Sequence, residues 1–246
     1  MIGDIYAVWL REMIRFVRAK SRVISSLAMP FFWLVFIGIG IGSSFSLPGT
    51  SYITFLAPGI LGMTLLFSSI FAGVSVIWDR QFGFLKELLV APISRTSIVL
   101  GKVFGGATVS MITAMIMLVV MVFVGLISFS VMILVSIVFM ALISMTFVSL
   151  GVVMASRMKG MEGFQMIMSF LIMPIFFLSG ALFPLENTPG WMQVASYLDP
   201  LTYGVDGLRG ALIGHSIFPI TLDLTALALI TISMIIIGKY MFDKAN

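Results

Sequence analysis

Long blocks of apolar residues, separated by short charged segments, run along nearly the whole chain. A helix across the apolar core of a bilayer takes about 20 residues, and each block is long enough for one. The blocks predict six membrane spans, at about 23–45, 53–78, 98–127, 131–155, 164–183 and 219–238. Lys102 and Asp223 fall near block ends, where a polar group can reach the interface. The pattern therefore predicts an all-α membrane protein.

The basic residues predict the orientation of these spans. All of the 14 lysines and arginines except Arg209 lie before the first span, between the second and third, between the fourth and fifth, or after the sixth. Six spans place all of those segments on one side of the membrane, and the positive-inside rule makes that side cytoplasmic. We therefore expect a multi-pass protein of the plasma membrane with cytoplasmic N- and C-termini.

Composition excludes several classes of function. The chain is 60% hydrophobic and 10% charged, whereas a typical soluble domain is about a quarter charged. The net charge of +4 comes from residues scattered between the blocks, which form no continuous basic face, so no nucleic-acid partner is expected. The chain has no cysteine, and His215 is its one histidine, so neither a metal site nor cysteine catalysis is predicted.

The N-terminal segment, residues 1–22, has the pattern of an amphipathic helix. Apolar residues from Ile2 to Val17 recur at helical spacing beside a basic stripe. An anionic headgroup layer would relieve the repulsion within that stripe while the apolar face enters the interface. We expect this helix to lie on the inner membrane surface, although a solvated basic leader has the same pattern. The predicted membrane-surface residues are Trp9, Arg11, Arg15, Arg18 and Arg22.

A second amphipathic segment, residues 79–97, lies between the second and third spans. Leu85, Leu88 and their neighbours make an apolar helical face, and Lys86 and Glu87 lie on another. Pro92 disfavours helical geometry at the residue before it. The spacing alone leaves open whether this helix rests on lipid or docks on another protein.

Residues 184–216 form an outer connection that is not simply polar. Asn187 or Thr188 can cap a short helix with Pro189 at its first position, and Asp199 can cap a second helix that begins at Pro200. Asp206 and Arg209 are three residues apart and can pair, and Gly210 or Gly214 can end the helix. Two apolar helices here predict a re-entrant pair that dips into the membrane between spans five and six.

The spans lack the ionisable residues that a proton- or sodium-driven transporter needs at membrane depth. The chain also lacks a phosphate-binding loop, since Gly101-Lys102 is followed by Val103. Transport would then be passive or driven by a separate cytoplasmic subunit, for which the segment 79–97 is the natural docking surface. An intramembrane enzyme would need polar residues at depth that the sequence does not provide.

Two segments resemble ABC type 2 transporter permeases, in particular drug-resistance and nodulation-factor exporters. The first runs from Asp79 to Pro92 and leads on to Gly101-Lys102; the second runs from Phe177 to Asn187 and continues through Asp199-Pro200-Leu201-Thr202-Tyr203 to Gly210. The stretch Ala57-Pro58-Gly59-Ile60, in the second predicted span, also resembles this family. The chain departs from the family at Gln81, where an acidic residue is frequent.

The resemblance implies a permease subunit that pairs with a second copy of itself and docks two ABC ATPase subunits, which hold ATP and Mg. By the same resemblance, the N-terminal segment 1–22 is a connecting helix and the segment 79–97 is a coupling helix that contacts the ATPase. Residues 157–163 are a second, lesser contact with the ATPase. The residues implied to contact the ATPase are Asp79, Arg80, Gln81, Gly83, Phe84, Leu85, Lys86, Glu87, Leu88, Leu89 and Pro92. Those implied in the outer re-entrant segment are Pro184, Trp191, Asp199, Pro200, Tyr203, Asp206 and Arg209.

Apolar walls favour export of a hydrophobic or amphipathic cargo, drug-like or lipid-linked. Two alternatives stay open at this point: a lipid-linked glycan or polysaccharide as the cargo, or a passive channel or scaffold that uses no ATP.

Overall fold

In the computed structural model, helices account for nearly all of the described chain. The structure describes residues 1–40, 42, 51–84, 90, 93–158 and 160–245, with the backbone only at 20–24, 161 and 245. The long elements are α1 (Ile2–Arg18), α2 (Lys20–Gly40), α3 (Tyr52–Gln81), α4 (Arg95–Phe123) and α5 (Ile133–Arg157). They are followed by α6 (Met161–Ile167), a π-helical turn (Met168–Ile172), α7 (Met173–Leu178), α8 (Gly190–Ser196), α9 (Pro200–Ile213) and α10 (Ile220–Ala245).

Four of these helices, α3, α4, α5 and α10, are long and apolar enough to cross a membrane. Two shorter apolar helices occupy the first and fifth predicted spans, at Ser25–Gly40 and Glu162–Leu178. The all-α prediction is confirmed for the described residues, which include no strand. The count of six spans stays a prediction, and part of its first span, residues 41 and 43–45, lies outside the described residues.

The fifth predicted span is interrupted by the π-helical turn just before Pro174. The amide of Met173 donates to the carbonyl of Met168, five residues back, instead of four. A proline ring clashes with the carbonyl four residues before it, so the wider turn relieves the crowding that Pro174 would cause in a regular helix. The fifth predicted span is therefore not a regular helix at this proline.

The helix ends define two ends of the bundle. At the first, which we call the basic end, Arg80 at the end of α3 donates to the carbonyl of Met158 after α5, at 3.0 Å. Arg95 at the start of α4 donates to the carbonyl of Asp243 near the end of α10, at 2.9 Å. At the opposite end, the hydroxyl of Tyr52 at the start of α3 donates to the carbonyl of Leu182 after α7, at 2.9 Å. Consecutive long helices therefore run in alternating directions.

Helix α3 is the centre of the bundle, and α10 lies at its edge. The most apolar 18-residue stretch of α3 is 78% buried, whereas that of α10 is 17% buried. Gly73 of α3 and Gly151 of α5 let these two helices cross at backbone contact, since a Cβ on Gly73 would lie 2.4 Å from the carbonyl oxygen of Val148. The exposed apolar side of α10 is suited to lipid.

The outer connection folds largely as its capping residues predict. The Asp199 carboxyl accepts a hydrogen bond from the Leu201 amide at 2.9 Å and caps α9, with Pro200 at the first position. Gly214 ends α9 in the left-handed region, at φ 72°. Helix α9 is buried against α3, α5 and α10, and a Cβ on Gly62 of α3 would lie 2.5 Å from Val205.

Two local predictions in this connection are wrong. The cap of α8 is Pro189 and not Asn187 or Thr188, because residues 185–187 form a 3₁₀ turn and the Pro189 carbonyl accepts from the amides of Met192 and Gln193. Asp206 and Arg209 form no direct ion pair within the described residues. The Asp206 carboxylate accepts from loop amides instead, and Arg209 donates to the carbonyl of Gly180 at 2.9 Å.

Candidate functional site

A cluster of five charged side chains joins α1, α3 and α4 at the basic end. Asp79, in the last turn of α3, is buried and accepts from Arg11 and Arg15 of α1, each at 3.2 Å. Lys102 of α4 is also buried and donates to the other Asp79 oxygen. Lys102 further contacts Glu12 of α1 at 3.2 Å. We call Arg11, Glu12, Arg15, Asp79 and Lys102 the inner charge cluster.

Small residues of α4 bring α1 close enough to complete this cluster. A Cβ on Gly101 would lie 2.6 Å from Val8, and one on Gly105 would lie 2.9 Å from Glu12. Trp9 adds a hydrogen bond from its indole nitrogen to the Thr108 hydroxyl, at 3.1 Å. Gly101 and Gly105 therefore allow α1 to pack closely on α4.

Of the predicted membrane-surface residues, Trp9, Arg11 and Arg15 bind other helices, and Arg18 is exposed. The side chain of Arg22 lies outside the described residues. A separate stripe of α1 remains apolar and exposed, and its members are Ile2, Tyr6, Leu10, Ile14 and Val17. This helix thus combines a face packed on α4 with a face suited to an interface.

The segment predicted to couple to an ATPase begins at Asp79, inside the inner charge cluster. Gly83, just after α3, has a left-handed backbone at φ 81°, and the Arg11 guanidinium lies over the ring of Phe84, 5.4 Å from its centroid. Gln81 and Phe84 are exposed. Leu85, Lys86, Glu87, Leu88, Leu89 and Pro92 lie outside the described residues.

Arg80 connects this segment to the second predicted contact. Its guanidinium donates to the carbonyls of Met158 at 3.0 Å and Ser156 at 3.4 Å. The start of residues 79–97 and the start of residues 157–163 therefore lie side by side at the basic end, with the inner charge cluster behind them.

A cavity of about 580 Å³ opens between α1, α2, α3, α4 and the π-helical turn. Its polar lining includes Glu12, Arg15, Ser25 and Ser26, and most of its surface is apolar. The remaining lining residues are Phe16, Met29, Pro30, Trp33, Met63, Thr64, Phe67, Ser68, Phe71, Ala72, Ser75, Gly106, Val109, Thr113, Met168, Met173 and Phe176. Methionine side chains adapt to varied apolar ligands, so the cavity suits an amphipathic molecule whose polar end lies beside Glu12 and Arg15.

The predicted outer residues fall into two groups. Asp199, Asp206 and Arg209 are buried, and the Arg209 guanidinium lies 4.0 Å from the centroid of the Phe55 ring. Burial raises the pKa of Asp199 to about 8, against the hydrogen bond from the Leu201 amide. Trp191 is exposed, and Pro184, Pro200 and Tyr203 are partly exposed, with the Tyr203 hydroxyl donating to the carbonyl of Tyr197 at 2.7 Å.

Sequence reasoning treated Lys102 and Asp223 as interfacial residues, whereas both side chains are buried. A signal for Lys102 was present: consecutive spans end with Asp79 and begin near Lys102, so opposite charges meet at the same end of the bundle. For Asp223, three residues into α10, the signal was its position inside an otherwise apolar block.

The fold is that of a multi-pass helical membrane protein whose basic residues, apart from Arg209, gather at one end. Residues 3–213 match the ABC-2 type transporter family. The chain therefore belongs to that family, as the resemblance of its two segments indicated.

Named relatives agree with this assignment. The chain is 30% identical over 222 residues to the putative transport permease ycf38 of Pyropia yezoensis. This alignment covers 85% of this chain and 74% of the relative. It is 29% identical over 251 residues to the putative transport permease ycf38 of Cyanophora paradoxa. This alignment covers 95% of this chain and 82% of the relative. It is also 27% identical over 227 residues to nodulation protein J of Rhizobium leguminosarum bv. trifolii. This alignment covers 91% of this chain and 86% of the relative.

Proposed function

We propose that this chain is the membrane subunit of an ATP-driven exporter, which works as a pair of identical permease chains with two ABC ATPase subunits. The observation that carries the proposal is the inner charge cluster. It fixes the start of the segment 79–97 to α1, α3 and α4 through ion pairs to the buried Asp79 carboxylate. A force applied to that segment by an ATPase would reach three helices at once.

The proposed topology has six spans with both termini in the cytoplasm of a plasma-membrane protein. The alternating helix directions and the gathering of basic residues at one end support this orientation. The ATPase would bind at the basic end, through residues 79–97 and the neighbouring residues 157–163. Pairing with a second copy rests on membership of the family.

Energy would come from ATP and Mg held by the partner, because the sequence has no phosphate-binding loop of its own. The permease would convert closure of the ATPase pair into a change of access across the membrane. In that arrangement the chain is a transport subunit and not an enzyme.

The proposed cargo is hydrophobic or amphipathic. The cavity supports this choice, because its lining is mostly apolar and also includes the charged residues Glu12 and Arg15. A drug-like molecule or the lipid end of a lipid-linked glycan shares this chemistry. Both belong to the same proposal, and a multidrug exporter is one form of it.

The decisive experiment is co-expression with an ABC ATPase encoded beside this chain, with a tag on the permease. We expect the two proteins to purify together and to hydrolyse ATP in nanodiscs. Glu87→Lys and Leu88→Pro should uncouple hydrolysis from transport and leave the spans folded. Glu186→Lys, the same charge reversal at the opposite end of the bundle, is the control.

A passive channel or scaffold gives a different result. In that case no ATPase is retained in gentle detergent, and Glu87→Lys behaves like Glu186→Lys. Either finding would remove the coupling role from the segment 79–97.

A further inference from the structure

Two buried carboxyl groups meet at the opposite end of the bundle, away from the inner charge cluster and the cavity. Asp206 lies in the middle of α9 and is 2% exposed, and Asp223 lies in the first turn of α10 and is 0% exposed. Their side chains are within hydrogen-bonding distance of each other. Neither capping of a helix nor the predicted pairing with Arg209 accounts for this contact.

The two carboxyl groups have unequal surroundings. The Asp206 oxygens accept hydrogen bonds from the amide of Ile217, at 3.0 and 2.9 Å, and from the amide of Phe218, at 2.8 Å. These donors belong to the loop between α9 and α10. Hydrogen bonds from backbone amides favour the ionised form of a carboxyl group, so Asp206 is equipped to carry a negative charge.

Asp223 has no such support. Neither of its oxygens accepts a hydrogen bond from a donor among the described residues. An ionised Asp223 would therefore be a buried charge without a donor, directly beside a second carboxylate. A single proton removes both penalties, because a protonated Asp223 can donate to Asp206.

The other polar groups around the pair do not replace that proton. Arg209 attracts Asp206 electrostatically, but its hydrogen bond goes to Gly180. Tyr203 donates its hydroxyl to the carbonyl of Tyr197, and His215 in the connecting loop is exposed. Helices α4 and α5 also pack on α10, and their charged residues, Arg95, Lys102 and Arg157, lie toward the basic end.

We propose that Asp206 and Asp223 form a proton-binding site that fastens α9 to α10, with the proton held by Asp223. Loss of the proton places two negative charges in contact and drives the helices apart. Helix α9 also packs on α3 and α5, so deprotonation would loosen the whole outer segment. The site would make that segment sensitive to pH on its own side of the membrane. This inference does not depend on an ATPase partner.

The test uses the full chain in nanodiscs and infrared difference spectroscopy of protonated carboxyl groups across a pH titration. Asp199 is a second buried carboxyl, so the measurement is made in an Asp199→Asn background. We expect one remaining buried carboxylic acid band, which disappears in alkali, and we expect Asp223→Asn to abolish it. Asp243→Asn, at the other end of α10, is the matched control and should leave the band in place.

A second variant keeps the test informative if Asp223→Asn fails to fold. In Asp206→Asn, the side-chain amide can donate to Asp223, so Asp223 can ionise and the band should again be lost. In the Asp199→Asn background, the unfolding temperature should fall in alkali as the band disappears, and the fall should be absent when Asp223→Asn is added. A band that is unchanged in both variants, or absent at neutral pH in the Asp199→Asn background, would overturn the proposal.

Discussion

Asp79 of α3 and Lys102 of α4 form a buried ion pair at the point where the segment 79–97 leaves the bundle. Arg11 and Arg15 bind the same carboxylate from α1. Two spans and the N-terminal helix therefore share one carboxylate, and any displacement of the residues that follow Asp79 acts on all three. The same contact governs stability and, under the proposed function, coupling.

Asp79→Asn should destabilise the chain more than substitution of any single cationic partner. It leaves Lys102 buried with Glu12 as its remaining acidic partner, and breaking a buried ion pair costs about 3–5 kcal/mol. The measurement is the free energy of unfolding in mixed micelles. Asp79→Asn combined with Lys102→Met should recover part of the loss. Arg18→Ala, on the exposed part of α1, should change stability by less than about 0.5 kcal/mol. Equal losses for Asp79→Asn and Arg18→Ala would show that the cluster contributes no stability.

The packing of α1 on α4 predicts opposite effects for one substitution at two glycines. A methyl group on Gly101 would meet Val8 at 2.6 Å, whereas one on Gly3 would meet no atom of the described residues within 4 Å. Gly101→Ala should lower stability by about 1–3 kcal/mol, the usual cost of overpacking. Gly3→Ala should be neutral or raise stability by up to about 1 kcal/mol through helix propensity. Thermal unfolding of the two purified variants distinguishes them, and a stabilised Gly101→Ala variant would mean that α1 does not rest on α4.

Single-residue signals with a local cause were readable from the sequence, and contacts between distant helices were not. The Asp199-Pro200 cap and the Gly214 stop depend on neighbours within a few residues. The partners of Arg11 and Arg15 lie 68 and 64 residues away, on another helix. Helical periodicity shows which residues share one face of a helix, but it does not show what that face contacts. The basic stripe of α1 was for this reason interpreted as facing lipid headgroups.

The same limit applies to the outer segment. Spacing placed Asp206 and Arg209 on one side of a helix and suggested a pair, but the helix is buried against three others that supply different partners. The partners of Asp206 and Arg209 are therefore determined by tertiary contacts, which the spacing along one helix does not reveal.

Asp199 should make stability fall as pH rises. Its folded pKa of about 8 lies above the ordinary value of 3.8 because the carboxyl is buried. The folded chain therefore keeps a proton that the unfolded chain loses near pH 4, and stability drops between these two values by up to about 1.4 kcal/mol per pH unit. Asp199→Asn keeps the oxygen that accepts from Leu201 and should remove this part of the slope. Denaturation of both proteins from pH 5 to pH 9 gives the difference, and identical slopes would contradict a protonated Asp199.

The cavity can be tested through Trp33, which lines it beside Phe176, with ring centroids 5.9 Å apart. The chain has 4 tryptophans, so replacing Trp9, Trp78 and Trp191 by phenylalanine leaves one reporter. An amphiphile brominated on its apolar chain should quench Trp33 saturably if it enters. Ser68→Phe, which adds a ring to the cavity wall, should weaken the saturable quenching at least about 10-fold, equal to about 1.4 kcal/mol. Ser233→Phe places the same ring on the exposed side of α10 and should leave the affinity unchanged. If quenching is unsaturable, or equal in the two variants, the amphiphile reaches Trp33 from the surrounding lipid and the cavity is not its binding site.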